Sequence, residues 1–142
     1  MKKSFHLAHT EVPVSKTAGE IMTLLGQKGA KQILTEYEDG EVVALSFLIY
    51  HGQKEISFRL PVRWEKCLEA MERTQTRRSQ TNPEQARRTA WRLVFHWLQA
   101  QFALMDVGMI DLVEAMLPHI RVGDQTFYER LLDSNLKLLE VK

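Results

Sequence analysis

The sequence predicts a single α+β domain: an N-terminal helix, a three-stranded antiparallel meander, then a helical C-terminal half around one long central helix. Three observations predict it. Apolar residues recur at 3.6-residue spacing through Ala18, Ile21, Met22 and Leu25. Three runs rich in aliphatic and aromatic residues follow, broken at Asp39-Gly40 and His51-Gly52. From Leu93 onward, apolar residues surround most of a helical circumference. A chain of 142 residues that is 44% hydrophobic is long enough for one core and short for two. The expected organisation is therefore a helix-sheet-helix part over 1–73, an exposed loop over 74–82 and a helical part over 83–142.

Residues 1–14 read as a polar lead-in, part of which could lie along a sheet edge through Phe5, Leu7, Val12 and Val14. Thr17 to Glu20 has capping-box spacing and Gly29 sits where a helix C-terminal glycine would, which predicts a helix over about 16–28. Gln32–Tyr37 and Glu41–Tyr50 are strands joined by an Asp-Gly hairpin turn, and Glu55–Leu60 alternates apolar and polar as the third. Pro61 ends it. Trp64, Cys67, Leu68 and Met71 mark the apolar side of a helix over about 63–73. Thr74–Thr81 holds six uncharged polar residues and two arginines, the composition of an exposed loop. Asn82 as N-cap and Pro83 at N1 start a helix that Gly108 ends after about Val107. Short helices over 109–119 and 124–139 follow, the second with Phe127, Leu131, Leu132 and Leu136 facing inward.

Net charge is only +1, yet the charges are segregated. Residues 59–92 carry nine positive and four negative side chains, whereas 1–58 sum to −1 and 93–142 to −3. Such a local field attracts phosphates or an acidic surface. Arg73, Arg77 and Arg78 occupy the loop and its entrance, and Arg87, Arg88 and Arg92 the first turns of the next helix. On a helical wheel Arg88, Arg92, His96 and Gln99 share a stripe. Cations near a helix start oppose the macrodipole, and a bound anion would relieve that conflict, with Thr76, Ser79 and Thr81 as further donors. The bland alternative is a solvated basic face.

Other chemistries find less support. The longest apolar run, Val42–Tyr50, is far below the roughly 20 residues of a membrane span, and no apolar stretch follows Lys2 and Lys3 to make a secretory signal. Intracellular residence is expected, in keeping with a lone Cys67 that reads as a buried thiol. His6 and His9 are three apart, but no third ligand lies at matching spacing, so no metal site or cofactor is expected. The carboxylates Glu36, Glu38, Asp39 and Glu41 cluster at the first hairpin, while Lys54-Glu55 on the next strand point to opposite faces and cannot share a nuclease metal. Neither a nucleophile elbow nor a phosphate-binding glycine loop is present. Trp64, Trp91 and Trp97 read as core, with a partner-anchoring role as the alternative.

The order helix, three strands, helix over 16–73 is similar to double-stranded RNA-binding domains. Their lysine cluster would fall at Arg63-Trp64-Glu65-Lys66, which lacks it, so the likeness is topological. The stretches VPVSKTAGEIMTLLGQKGAKQILTEYEDGEVVALSFLI, FRLPVRW and ARRTAWRLVFHWLQAQFALMDVGM resemble a group of small uncharacterised phage and prophage proteins over most of residues 12–120. That resemblance implies a phage origin and a role in phage DNA metabolism or in neutralising a host system. The expected function is a non-enzymatic accessory protein that binds nucleic acid through Arg73–Arg92. The competing expectation is an inhibitor of a host defence protein or nuclease, such as an anti-CRISPR. A cytoplasmic homodimer is expected in either case, since the 93–107 helix has more apolar surface than its neighbours cover.

Overall fold

A computed structural model describes residues 6–74 and 78–140. The fold is α+β, with a three-stranded antiparallel sheet and a long helix through the second half. The chain divides into two compact units, one within residues 1–27 and 62–102 and the other within 28–61 and 103–142.

In the first unit, α1 (Val14–Gln27) buries Thr17, Ala18, Ile21 and Leu25. It starts ahead of the capping-box position predicted from sequence: the Thr17 amide already donates to the Pro13 carbonyl at 3.1 Å. Proline, with its fixed φ and missing N–H, is tolerated at a helix start, so the helix extends back to it. Helix α2 (Trp64–Arg73) buries Cys67 and Met71. Helix α3 (Pro83–Asp106) buries Ala86, Ala90, Trp91, Phe95, Leu98 and Phe102. Fully burying a leucine or phenylalanine side chain stabilises by about 1.5–3 kcal/mol. Asn82 caps α3 as its sequence predicts, Oδ1 accepting from the Gln85 amide at 2.9 Å. The lead-in does not run along a sheet edge over the described residues. Its Leu7–Thr10 turn is held by α3: the side-chain Nε2 of Gln85 donates to the carbonyls of Ala8 (3.1 Å) and Thr10 (2.8 Å), and Thr89 Oγ1 to that of Leu7 (3.0 Å). Phe5 lies outside the described residues.

In the second unit, β1 (Ala30–Glu38), β2 (Glu41–His51) and β3 (Lys54–Pro61) pair in the order β1-β2-β3. The β1–β2 turn places Asp39 (φ 52) and Gly40 (φ 79) both in the left-handed region, the requirement of a two-residue type I′ turn. Period-two alternation puts Leu45 opposite Leu60, Phe47 opposite Phe58 and Ile49 opposite Ile56 on one buried face. The Phe47 and Phe58 rings stack 5.0 Å apart. Ala44, Ser46 and Arg59 take the other face. Register shifts interrupt the β1–β2 ladder between Ala30 and Gln32 and between Glu36 and Tyr37.

The C-terminal segment departs from its sequence pattern. Helix α4 is short (Leu112–Met116), capped by Asp111 and continued by a 3₁₀ turn over Leu117–His119. In place of one helix over 124–139 there is a two-residue hairpin, β4 (Arg121–Val122) and β5 (Gln125–Thr126), then α5 (Phe127–Asp133). Thr126 and Glu129 form a reciprocal capping box that fixes where α5 begins. Asn135 (φ 60) and Leu136 (φ 61) break the helical path after it. No residue of α5 is fully buried, and Leu132 and Leu136 are exposed rather than inward.

Candidate functional site

The arginines predicted to form one anion-binding surface divide into two groups. Arg73, at the last turn of α2, and Arg78, in a 3₁₀ turn over Arg78–Gln80, are both exposed. Arg77 lies outside the described residues, as do Gln75 and Thr76. The second group, on α3, is engaged within the first unit. Arg87 stacks its guanidinium 4.2 Å from the centre of the Trp64 ring. Arg88 donates to Glu84 Oε1 at 2.7 Å and from Nε to Gln85 Oε1 at 3.1 Å. Arg92 donates to Glu20 Oε1 at 2.9 Å and to Thr17 Oγ1 at 3.3 Å, lying 4.8 Å from the Phe95 ring centre. Arg87 therefore joins α3 to α2 and Arg92 joins it to α1, while Arg88 is paired within α3.

That division changes the electrostatics. Glu20 and Glu36 come from outside residues 59–92 and neutralise Arg92 and Arg59, so the segment's excess of five positive charges falls to three. The N-terminus of α3 is also a poor anion cradle. Pro83 has no N–H, the Gln85 amide is taken by Asn82, and Glu84 places a carboxylate in the first turn. The exposed cations among the described residues of the first unit are instead Lys16, Arg63, Lys66, Arg73 and Arg78. Lys66 shares its charge with Glu69 at 3.5 Å, a solvated pair of small energetic weight.

A further charged cluster, which the sequence reading did not assemble, lies on the outer sheet face of the second unit. Arg59 grips Glu36 through Nε (3.0 Å to Oε1) and Nη2 (2.8 Å to Oε2), while Arg121 Nη2 donates to Ser46 Oγ at 3.2 Å, 3.7 Å from the same carboxylate. Glu36 on β1 and Arg59 on β3 meet across β2 because the residues they face there, Ala44 and Ser46, are short. Hydrogen bonding from Arg59 holds the Glu36 carboxyl below its ordinary range, against the opposing effect of partial burial, with the charges of Arg59 and Arg121 and the Ser46 hydroxyl adding to it. Glu36 is thus committed to an ion pair. Among the described residues no group of three or more His, Cys, Asp or Glu is arranged to hold a metal ion.

Cys67 is buried, and burial pushes its thiol above the ordinary value. That is the opposite of nucleophile activation. Trp91 is fully buried, and Trp64 is half-buried beneath Arg87. No helix of the described residues is long and apolar enough to cross a membrane. The signal that could have located the helix arginines' partners is partly local: Glu84 and Arg88 stand four apart on a helix, the spacing of a surface ion pair. Glu20 and Arg92, 72 residues apart, offer no such cue. No family model, curated protein or solved structure matches this chain.

Proposed function

We propose that this is a non-enzymatic, phage-encoded accessory protein that binds nucleic acid by its phosphate backbone, with Arg73, Arg77 and Arg78 as the contacts. The observation that carries the reading is the exposure of Arg73 and Arg78 on either side of residues 75–77, while Arg87, Arg88 and Arg92 already have partners within the first unit. The α3 arginines build the scaffold, and the arginines at the end of α2 and in the following loop do the binding. Few contacts, and no base-reading platform assembled among the described residues, make the interaction modest in affinity and indifferent to sequence. The reading places the protein in the host cytoplasm. Pairing with a second copy would double the arginine surface and raise avidity.

Fluorescence anisotropy with labelled duplex DNA, single-stranded DNA and RNA over a salt series tests it. Three phosphate contacts give a slope of log affinity against log salt of about −2.7 on duplex DNA, falling to about −0.9 when Arg73→Ala and Arg78→Ala are combined. An unchanged slope in the double variant, or no binding at low salt, sinks the reading.

A second reading, an inhibitor that binds a host defence protein or nuclease, draws on a different observation. Leu34, Tyr37, Tyr50, Val107 and Met109 are large exposed side chains, all in the second unit. A protein partner would take these side chains out of water. A stoichiometric host protein retained after nuclease treatment of the lysate, together with failure of the anisotropy experiment, selects this reading.

A further inference from the structure

We propose that a cavity on the outer face of the three-stranded sheet binds a small aliphatic carboxylate, with the Arg121 guanidinium receiving its charged end. The site lies within the second unit and is independent of the nucleic-acid reading. The cavity measures about 420 Å³, and its lining includes Gln32, Leu34, Ser46, Leu48, Ser57 and Arg121. Small-molecule sites ordinarily span about 300–1,000 Å³. Cross-strand pairing explains the hollow. Gln32, Leu48 and Ser57 form one row across the sheet and Leu34, Ser46 and Arg59 the next, all on the same face by period-two alternation. The short serines leave room over β2 and β3, and the leucines wall it with apolar surface. Arg121 enters from beyond β3: Ile120 bridges Phe58 of the buried face, so the following side chain falls on the cavity side.

Hydrogen-bonding capacity selects the ligand. Arg59 is matched to both oxygens of Glu36, and the charge of Glu129 acts on it as well. Arg121 is matched less completely. Its Nη2 donates to Ser46 Oγ at 3.2 Å and stands 3.7 Å from Glu36 Oε1, an oxygen that already accepts from Arg59 Nε and from Ser46 Oγ. A guanidinium offers several N–H donors in a planar fork, and among the described residues that of Arg121 donates one hydrogen bond. Its side chain is 29% exposed and lines the cavity, so the rest of the fork is open to a ligand there. The paired oxygens of a carboxylate fit such a fork. Glu36 disfavours a second negative charge so close by, which selects a monoanion over a phosphate dianion. Leu34, 64% exposed, and Leu48 then cover the aliphatic tail.

Titration of the full chain with isovalerate, followed in ¹H–¹⁵N spectra, tests the site. Saturable shifts are expected at the Leu48 and Ser57 amides and at Arg121 Nε, with half-saturation at about millimolar concentration, as suits a ligand of so few atoms. Isovaleramide keeps the tail without the charge and should bind at least about tenfold more weakly, as should inorganic phosphate. Arg121→Lys retains the charge but loses the fork and should weaken isovalerate by at least about fivefold. Leu34→Ala leaves the ion cluster untouched and should weaken it about threefold. N-acetyl-leucine separates the sources of such a carboxylate: tighter binding than isovalerate assigns the site to the C-terminal end of a peptide, weaker binding to a free acid. No saturable shift by roughly 50 mM isovalerate, equal shifts with isovaleramide, affinity unchanged in both variants, or shifts confined to other surfaces would each overturn the proposal.

Discussion

Gln85 offers the sharpest perturbation of the first unit. Its side chain is almost completely buried, at 2% exposure, and its amide nitrogen is the donor for two backbone carbonyls of the N-terminal segment, Ala8 and Thr10. Gln85→Leu keeps the volume and removes the donor, so cavity terms are small and the carbonyls lose their partner. Each neutral hydrogen bond contributes about 0.5–1.5 kcal/mol net, and a carbonyl left buried without a partner costs about 1–3 kcal/mol. The segment limits this loss by opening to water, which caps the expected destabilisation at about 2–3 kcal/mol, a factor of roughly 30–150 in the opening equilibrium. Urea unfolding measures the global part, and native-state hydrogen exchange at the Thr10 amide, which donates to the Leu7 carbonyl, measures the local part. A variant within about 0.5 kcal/mol of wild type, with Thr10 exchange unchanged, would refute the reasoning that this amide holds the segment.

Four further outcomes follow from the geometry. Glu36 has a folded-state value below its unfolded one, so its pairing stabilises above the ordinary carboxyl range and is lost as pH falls through the depressed value. Wild type should therefore exceed Glu36→Gln in stability near neutrality, and denaturation midpoints should converge as the solution is acidified below about pH 4. Cys67 should react with iodoacetamide far more slowly than a free thiol, and stability should fall as pH rises past the ordinary thiol value, because only the unfolded chain ionises there. Asn82→Ala removes the cap of α3 and should cost about 1 kcal/mol by chemical denaturation, with Asn82→Ser close to wild type. Gly40→Ala forces a side chain into φ 79 and should destabilise by about 1–2 kcal/mol, measured the same way.

Much of the architecture was legible because its signals are local. The apolar spacing of α1, the Asp39-Gly40 turn and the Asn82-Pro83 start of α3 each depend on residues within a few positions of one another, and each appears where expected. The Thr126–Glu129 box was equally local, yet the apolar rhythm from Phe127 to Leu136 obscured the hairpin before it and the left-handed residues after it. The charged surface was read less fully for a different reason. A run of arginines reveals its sign but not its partners, and Glu20 and Glu36 reach Arg92 and Arg59 only through tertiary contacts. Likewise the sequence sets His6 beside His9 and His96 on the Arg88–Arg92 stripe, while the contact between His6 and His96 depends on a turn at Leu7 that no periodicity announces.

The register shifts at either end of β1 have a colloidal consequence. β1 is an edge strand carrying exposed Leu34 and Tyr37, the kind of margin on which another chain can template itself. The longest uninterrupted ladder runs between the two irregularities, from Gln32 to Glu36, with only Tyr37 and Glu38 paired after it, and Lys31 and Glu38 bring charge to its flanks. The break in register at each end shortens the regular template that an incoming strand could extend. Regularising that edge, by deleting a bulge residue while leaving the apolar side chains in place, would exchange a self-limiting margin for one that recruits copies of itself.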